Sequence, residues 1–222
     1  GVRLVGSEMC IRDRRYSMEL KKKSTVLFLG DCITGSNRDI NNPNDLGNGY
    51  VARINDALRC YRIKVINRGI DGNRTIHLLE QYEENVRNEH PDFVTIYIGM
   101  NDVWHHYSRN IYTSNEEFEY NLRTLLEKIK KDFNVPILII EPFIIDITPE
   151  LTKMREELWQ KVDIIRKLAR EYASEYIALD GSFASACIKH ELTFYSTDGI
   201  HPTEEGHKFI ARRWLRNVIV ED

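Results

Sequence analysis

Short apolar runs alternate with longer amphipathic segments along most of this chain. Five of the runs are rich in valine and isoleucine, and they cover Val26–Leu29, Lys64–Asn67, Phe93–Ile98, Ile137–Glu141 and Tyr176–Leu179. An apolar run with little polar alternation is typical of a strand that is buried on both of its faces. The pattern therefore predicts a mostly parallel sheet of five strands.

The segments between these runs carry apolar residues at the spacing of a helix. Ser114 and Glu117 form the pattern of a capping box, which predicts a helix start just before one such segment. The apolar positions with helical spacing are Phe118, Leu122, Leu125 and Ile129; Leu151, Met154, Leu158, Val162, Ile165, Leu168 and Tyr172; and Ile210, Trp214 and Val218. Regular alternation of strands and helices predicts helices on both faces of the sheet, which is a three-layer α/β/α architecture.

Composition and charge narrow the classes of function. The chain has 222 residues, enough for a single α/β domain with a sizeable core. Its formal net charge is −3, so no excess of basic residues argues for nucleic acid or an anionic membrane as a partner. No apolar run reaches the ~18–20 residues of a membrane span, and no nucleotide-binding motif occurs. We therefore expect neither a nucleic acid nor a membrane as a partner.

The four cysteines form no CxxC pair and lack the spacing of a zinc site. Free thiols in a reducing compartment are the simplest interpretation, so we predict a cytoplasmic protein. The adjacent His105 and His106 could suggest a metal, but neighbouring histidines rarely face one ion. A solvated loop is the favoured interpretation of this pair, and we predict neither a metal nor a cofactor.

Residues 1–17 differ from the rest of the chain. They show no helical or strand periodicity, and the stretch Gly6–Arg14 resembles a stray leader of the kind found ahead of unrelated proteins. We therefore predict that residues 1–17 are a non-native or disordered leader, with Met18 as the native start, and that residues 18–222 form one domain. The apolar run that follows Met18 is shorter than the ~7–15-residue core of a signal peptide.

Residues able to do chemistry cluster where the predicted strands end. Cys32 follows the first strand, residues 69–73 follow the second, and residues 99–104 follow the third. Asp198 and His201 lie in the last loop before the C-terminal helix. In an open parallel sheet, the loops at the carboxyl ends of the strands form the ligand crevice. We therefore expect these four segments to meet at one edge of the sheet.

Cys32, His201 and Asp198 are the residue types that acyl transfer requires: a nucleophile, a base and a group that orients the base. A spacing of three residues lets Asp198 bind one ring nitrogen of His201 while the other nitrogen faces the nucleophile. Cys32 is predicted to open a helix or turn, where the partial positive charge of a helix N-terminus favours a thiolate and the neighbouring Asp31 opposes it. The alternative is that Cys32 is a small buried apolar residue, a common fate of a free cysteine.

Gly72 and Asn101 are candidates for stabilising an oxyanion. Glycine lets its backbone N–H approach a ligand closely, and the Asn101 side chain offers an N–H₂ donor. The alternatives are an ordinary turn glycine and a cap in the loop after the third strand. None of these residues is decisive alone, so the order and spacing of the four segments carry the argument.

The four segments resemble the sequence blocks of the SGNH hydrolases, or GDSL-type esterases. The blocks are Gly30–Thr34, Asn67–Asn73, Ile98–Asp102 and Asp198–Pro202. The resemblance implies a flavodoxin-like fold and a catalytic triad of Cys32, His201 and Asp198. It also implies an oxyanion hole built from the backbone N–H groups of Cys32 and Gly72 and the side chain of Asn101. The first block departs from the family pattern, because Cys32 stands where the family has serine.

Two further segments, Leu46–Val51 and Gly99–Trp104, resemble the branch of this superfamily that contains xylan and related carbohydrate acetylesterases. This resemblance implies carbohydrate O-deacetylation of the acetylated xylo-oligosaccharide type, with a small-molecule or oligosaccharide ester as the partner. Trp104 would then stack on a sugar face, and the alternative is a packed loop aromatic. Esterases of this branch often form oligomers, so a homo-oligomer is also expected.

The thiol at position 32 changes the expected chemistry. A free cysteine has a pKa near ~8.5 and is a stronger nucleophile than serine. The tetrahedral intermediate from a sugar ester expels a thiolate more easily than the more basic alkoxide, so it tends to return to substrate. We therefore expect a weakened ester hydrolase that acts through an acyl-enzyme. The alternatives are a thioesterase or acyltransferase, and a non-catalytic module that binds sugar esters.

Overall fold

Five parallel strands form the centre of the fold. The computed structural model describes residues 18–221, so the predicted leader at residues 1–17 lies outside the described part of the chain. The sheet has the order β3-β2-β4-β5-β6, and every neighbouring pair is parallel. Its strands are β2 (Thr25–Gly30), β3 (Lys64–Gly69), β4 (Phe93–Tyr97), β5 (Ile137–Ile140) and β6 (Glu175–Ile177). All of the predicted strands are confirmed, and no end differs by more than two residues.

Helices cover both faces of this sheet. In chain order they are α1 (Cys32–Gly35), α2 (Tyr50–Leu58), α3 (Thr75–Glu80), α4 (Tyr82–Asn85), α5 (Met100–Arg109), α6 (Asn115–Asp132), α7 (Pro149–Tyr172), α8 (Leu179–Ala186) and α9 (Glu204–Arg216). The Ser114 hydroxyl accepts a hydrogen bond from the Glu117 backbone N–H at 3.0 Å, which confirms the predicted start of α6.

Each face of the sheet packs against its own set of helices, because alternate residues of a strand point to opposite faces. On one face, Phe28 of β2 lies in a core cluster with Tyr50 of α2 and Trp214 of α9. On the other face, Leu27 of β2 lies in a second cluster with Leu122 of α6, to which α3 and α7 also contribute. The predicted three-layer α/β/α architecture is therefore confirmed.

The sequence pattern does not predict a second, two-stranded sheet that the structure contains. In this sheet, β1 (Met18–Leu20) pairs in parallel with β7 (Val218–Val220). The prediction that Val218 extends the C-terminal helix is wrong, since α9 ends at Arg216. Three consecutive β-branched residues favour a strand over a further helical turn, and pairing with β1 satisfies their backbone.

The parallel direction of the main sheet determines where its loops lie. The carboxyl ends of all of its strands share one edge, and the segments that carry Cys32, Gly72 and Asn101 follow β2, β3 and β4 at that edge. Within residues 18–221, no helix is both long enough and apolar enough to cross a membrane. The cysteines of this part of the chain, including Cys32, are free thiols.

Candidate active site

The turn after β2 presents Cys32 at the carboxyl edge of the sheet. Asp31 is the N-cap residue of α1, and Cys32 is the first residue of that helix. The Asp31 side chain accepts a hydrogen bond from the Ile33 backbone N–H at 3.0 Å, which closes the turn. The prediction that Cys32 opens a helix or turn is therefore confirmed, and its side chain is only partly buried.

A buried asparagine on the neighbouring strand holds this turn in place. The Asn67 side chain donates to the carbonyl oxygens of Thr34 and Leu46, each at 2.8 Å. Its side-chain oxygen accepts from the Gly69 backbone N–H at 2.8 Å. One fully buried side chain thus satisfies three backbone groups and fixes α1 against β3. The sequence offers one signal for this role, a short polar side chain that directly follows the apolar pair Val65 and Ile66.

His201 stands opposite Cys32. Its Nε2 atom lies 3.5 Å from the Cys32 sulfur, which is a loose contact between a thiol and a base. Its Nδ1 atom lies 2.6 Å from Asp198 Oδ2. The structure therefore brings all three predicted residues into one hydrogen-bonded line, while their catalytic roles stay a prediction.

The backbone of the same loop holds the second oxygen of Asp198. Oδ1 accepts hydrogen bonds from the backbone N–H groups of Ile200 at 2.9 Å and His201 at 2.7 Å. The Ser196 hydroxyl lies 3.1 Å from this oxygen and 2.8 Å from the His201 carbonyl oxygen. Both carboxylate oxygens are satisfied, so the carboxylate presents one fixed direction to the imidazole. The sequence alone does not identify Ser196 as a member of this turn.

The loop that carries Asp198 and His201 rests on the segment after β5. Gly199 has a φ of +82°, and its carbonyl oxygen accepts from the Ile145 backbone N–H at 2.8 Å. A β-carbon at Gly199 would lie 2.4 Å from the Ile145 carbonyl oxygen, so only glycine fits. Arg155 of α7 donates to the Ile144 carbonyl oxygen and braces the same segment.

Asn101 lies in the first turn of α5 and not in a loop, because Gly99 turns the chain from β4 directly into the helix. The Asn101 side chain donates to the Asn73 carbonyl oxygen at 3.1 Å, which leaves its second N–H for a ligand. Gly72 has a φ of +78°, and its backbone N–H donates to no group within residues 18–221. Gly72 and Asn101 therefore each have a free N–H, and their convergence with the Cys32 backbone N–H beside the sulfur stays a prediction.

A buried carboxyl group ties these two segments together. Asp102 accepts hydrogen bonds from the Thr75 backbone N–H at 3.0 Å and from the Thr75 hydroxyl at 2.8 Å. Burial raises the pKa of Asp102 to about 6, although the hydrogen bonds from Thr75 act in the opposite direction. The contact links the start of α5, which carries Asn101, to the start of α3, which follows Gly72. The sequence places Asp102 in one of the four family blocks but does not reveal that Thr75 is its partner.

Hydrogen bonding and burial give the three members of the line different proton affinities. Hydrogen bonds to Asp198 and Cys32 raise the pKa of His201 to about 10, which makes its ring a stronger base than free imidazole. Partial burial acts to raise the pKa of Asp198, but hydrogen bonds from His201 and Ile200 hold it well below its usual range. Burial raises the pKa of the Cys32 thiol, and the His201 hydrogen bond opposes this only in part.

Burial decides a balance at Cys32 that the sequence leaves open, between a helix N-terminus that favours a thiolate and Asp31, which opposes it. The helix that begins at Cys32, α1, has only four residues, so few aligned peptide dipoles contribute. Desolvation of the thiolate outweighs that contribution, and the pKa of the thiol rises instead. Loss of the Cys32 proton therefore calls for a base, and His201 Nε2 lies 3.5 Å from the sulfur.

Trp104 lies one helical turn after Asn101 on α5. Residues three positions apart share a face of a helix, and the Trp104 side chain is 37% exposed. An accessible indole ring therefore stands next to the candidate oxyanion donor. Its stacking on a sugar stays a prediction.

The adjacent histidines do not lie in a solvated loop. Both belong to α5, where His105 is buried. His106 Nδ1 lies 2.8 Å from Glu157 Oε2 of α7. The helical path after Gly99 is the physical reason, since it turns His105 inward. Within residues 18–221, no group of three or more histidine, cysteine, aspartate or glutamate side chains is arranged to hold a metal ion.

Comparison of the sequence with known proteins identifies relatives along most of its length. The GDSL-like lipase/acylhydrolase family matches residues 28–209. The acetylxylan esterase of Geobacillus stearothermophilus is 30% identical over 215 residues, which covers 90% of this chain and 96% of the relative. These matches confirm the resemblance carried by the four sequence blocks.

Solved structures share the fold. The crystal structure of the Geobacillus stearothermophilus acetylxylan esterase matches with a TM-score of 0.82 at 30% identity, covering 90% of this chain and 96% of that one. An alpha/beta hydrolase enzyme from the metagenome of Lake Arreo, Spain, has a TM-score of 0.82 at 26% identity, covering 88% and 95%. Further structures are catalytic mutants of the acetylxylan esterase, with alanine in place of a serine, an aspartate or a histidine.

The Gly199→Ala variant tests the support of the Asp198–His201 loop. The added methyl group would clash with the Ile145 carbonyl oxygen at a left-handed φ, so we expect a loss of about 1–3 kcal/mol of stability. Hydrolysis of an aryl acetate should fall with it, because the loop must move. Thermal unfolding and turnover are the measurements. Gly181→Ala is the matched control, since nothing lies within 4 Å of a β-carbon there. Parental stability and turnover in Gly199→Ala would contradict the account.

Proposed function

Because this chain belongs to the GDSL-like lipase/acylhydrolase family and is a carboxylic ester hydrolase, we propose that it removes O-acetyl groups from carbohydrates. The substrate class is acetylated xylo-oligosaccharides. The match to an acetylxylan esterase along most of both chains supports this class. The accessible Trp104 ring beside Asn101 also supports it, because an aromatic face can stack on a sugar ring.

One observation carries the proposal: the Cys32 sulfur, the His201 ring and the Asp198 carboxylate form a line with contacts of 3.5 and 2.6 Å. Two catalytic mutants of the acetylxylan esterase replace an aspartate and a histidine three positions apart, which is the spacing of Asp198 and His201. A third replaces a serine, the residue type expected at position 32. The parallel supports roles for Cys32 as nucleophile, His201 as base and Asp198 as its orienting acid.

In the proposed acylation step, the Cys32 sulfur attacks the acetyl carbonyl carbon while His201 Nε2 takes the thiol proton. Asp198 holds the other ring nitrogen and stabilises the imidazolium that forms. The carbonyl oxygen becomes an oxyanion, and it accepts hydrogen bonds from the backbone N–H groups of Cys32 and Gly72 and from the Asn101 side chain.

The tetrahedral intermediate then has two exits. Expulsion of the Cys32 thiolate regenerates substrate, whereas expulsion of the sugar oxygen leaves an acetyl thioester on the enzyme. The second exit requires His201 to protonate the departing oxygen, because an alkoxide is a poorer leaving group than a thiolate. Water then attacks the thioester carbonyl carbon while His201 accepts a proton from the water. The C–S bond breaks, His201 passes this proton to the Cys32 sulfur, and acetic acid leaves and ionises. Turnover on sugar acetates is therefore weak.

The alternative functions are not favoured. A thioesterase or acyltransferase, and a non-catalytic binding module, both fit less well than an ester hydrolase with this family and these relatives. The cytoplasmic location and the homo-oligomeric state expected from the sequence stay predictions.

The Asn101→Ala variant tests the oxyanion site. If the free N–H of Asn101 stabilises the oxyanion, turnover of an aryl acetate should fall by roughly 10²-fold. Asn88→Ala is the matched control, because Asn88 is exposed and belongs to none of the four segments that form the site. Steady-state kinetics on both folded variants is the measurement. An unchanged rate in Asn101→Ala would mean that Asn101 only caps its helix.

The pH dependence of hydrolysis tests the role of His201. The hydrogen bond to Asp198 is the largest of the causes that raise the pKa of His201 to about 10, and a base must be unprotonated to act. We therefore expect kcat/KM to keep increasing with pH well beyond ~6.5, the pKa of free histidine. Asp198→Asn removes the largest cause, so the inflection should move down while the rate falls. Asp163→Asn, at an exposed position on α7, should leave the inflection unchanged. An inflection near that of free histidine in both the parent and Asp198→Asn would contradict this role.

Substitution of Cys32 tests the nucleophile and the proposed function together. Cys32→Ser should raise activity on an acetylated xylo-oligosaccharide. In its tetrahedral intermediate both leaving groups are alkoxides, so the enzyme's own group is no longer expelled more easily than the sugar oxygen. Activity on an aryl acetate should rise less or fall, since its acidic leaving group departs readily from either intermediate. Cys32→Ala should lose both activities and keep the fold. If Cys32→Ala keeps the activity of the parent, Cys32 is not the nucleophile.

A further inference from the structure

A polar cavity at the outer edge of the main sheet has no part in the proposed mechanism. Its volume is about 450 Å³, within the ~300–1,000 Å³ that is usual for ligand pockets. It lies beside the edge strand β3, between the loop after α1 and the segment of α4. The lining residues that matter below are Arg38, Ile40, Ile70, Gln81, Glu84 and Asn85.

Hydrogen bonds connect one wall of this cavity to the candidate oxyanion donor Asn101. The Asn101 side chain donates to the Asn73 carbonyl oxygen at 3.1 Å. The side-chain amides of Asn73 and Gln81 donate to each other, with N···O distances of 3.2 and 3.4 Å. Gln81 also accepts a hydrogen bond from the Asn85 side chain at 3.1 Å. A continuous line of amide groups therefore leads from the oxyanion site to the cavity.

A second wall belongs to the segments that carry Cys32 and Gly72. Arg38 follows Cys32 by six residues, and its Nε and Nη2 atoms donate to the Gly69 carbonyl oxygen at 3.2 and 3.1 Å. Ile70, which also lines the cavity, lies between Gly69 and Gly72 in the chain. The cavity is therefore an extension of the candidate active site along the same edge of the sheet.

Asn85 has a buried oxygen that lacks a partner. The residue is only 7% exposed, and its side-chain N–H₂ group donates to Gln81. Its side-chain oxygen accepts a hydrogen bond from no group in the part of the chain that the structure describes. A buried acceptor without a donor costs free energy. Because Asn85 lines the cavity, a donor on a bound ligand can satisfy this oxygen.

The charges around the cavity cancel. Arg68 and Glu89 line it as an ion pair, with Arg68 Nε 3.0 Å from Glu89 Oε1. The remaining charged side chains of the wall are one arginine, Arg38, and one glutamate, Glu84. The wall therefore selects neither an anion nor a cation, and a neutral polar ligand fits it better.

The remaining groups match a sugar ring. Arg38 Nη1 donates to no group within residues 18–221, and the Asn85 oxygen is a free acceptor, so the cavity offers both a donor and an acceptor. A sugar hydroxyl can use both, because it donates and accepts. Ile40 and Ile70 add apolar surface, which suits the C–H groups of the ring.

We propose that this cavity is a subsite for a second, unreacted sugar unit of an oligosaccharide whose acetyl group lies at Cys32. The inference rests on the proposed function, which supplies a substrate of several linked sugar units. Asn85 and Arg38 bind hydroxyl groups of that unit, and Ile40 packs on its C–H groups. The subsite does not touch the reacting atoms, so it binds the ground state and the transition state alike and acts mainly on KM.

Asn85→Ala removes the free acceptor. The KM for acetylated xylotetraose should rise about threefold to tenfold, the range for one lost hydrogen bond, while kcat changes little. Both constants for an aryl acetate should stay parental, because that ester is too short to reach the cavity. Asn121→Ala is the matched control: Asn121 is a buried asparagine on α6 whose side-chain N–H₂ group has no partner within residues 18–221, and it lies outside the cavity.

Ile40→Ser is a second variant that does not disturb the fold, since Ile40 is 64% exposed. It should raise the KM for acetylated xylotetraose about twofold to fivefold through lost apolar contact, again without effect on an aryl acetate. Ile188→Ser, at an 84% exposed position outside the cavity, is its control and should change neither substrate. If Asn85→Ala does not fold, Ile40→Ser decides the question.

Calorimetric titration with unacetylated xylotetraose separates the subsite from the proposed function. The parent chain should bind this sugar, and Asn85→Ala and Ile40→Ser should weaken binding by the same factors as they raise KM. Binding that both variants weaken, without hydrolysis of acetylated xylotetraose, would support the subsite and refute the proposed function. Parental KM and parental affinity in the folded variants would overturn the subsite. An equal rise of KM for the aryl acetate would also overturn it, because the damage would then lie at the reacting atoms.

Discussion

The parallel direction of every strand in the main sheet is the constraint on which the rest of the site depends. Cys32 and His201 are 169 residues apart in the sequence, yet their side chains meet at 3.5 Å. Segments with Cys32, Gly72 and Asn101 follow three adjacent strands, so the sheet alone delivers them to one edge. The loop with His201 follows no strand of this sheet and needs its own support, which the segment after β5 provides through Gly199.

Two properties of the site follow from how that edge is built. Buried polar side chains fix the backbone of the loops at this edge. Asn67 holds the turn that carries Cys32, and Asp102 joins the segments that carry Gly72 and Asn101. Burial also raises the pKa of the Cys32 thiol, while hydrogen bonds to Asp198 and Cys32 raise the pKa of His201. The site therefore suits a nucleophile that loses its proton to a base during attack, as serine does, more than a preformed thiolate.

The sequence predicts the layers, the strands and the line of Cys32, His201 and Asp198, because apolar runs and family blocks are local signals. It does not predict the pairing of Val218 with β1, since helical spacing continues to that residue and only a distant partner decides against it. Nor does it reveal the contact of Asp102 with Thr75, because a buried hydrogen bond depends on the packing of two helices. The proton affinity of Cys32 is missed for a related reason: desolvation is a property of the folded surroundings, and the helix that begins there is too short to offset it.

The most direct test of this account is to search for an acetyl group on Cys32. Acid quenching during turnover of an acetylated xylo-oligosaccharide, followed by mass spectrometry of the peptide that carries Cys32, detects the thioester that the mechanism requires. The account predicts an acetyl adduct on Cys32 in the parent chain, and a larger trapped fraction with an aryl acetate, whose leaving group departs more easily. Hydrolysis of either ester with no adduct on Cys32, or with an adduct on a different residue, would contradict the account.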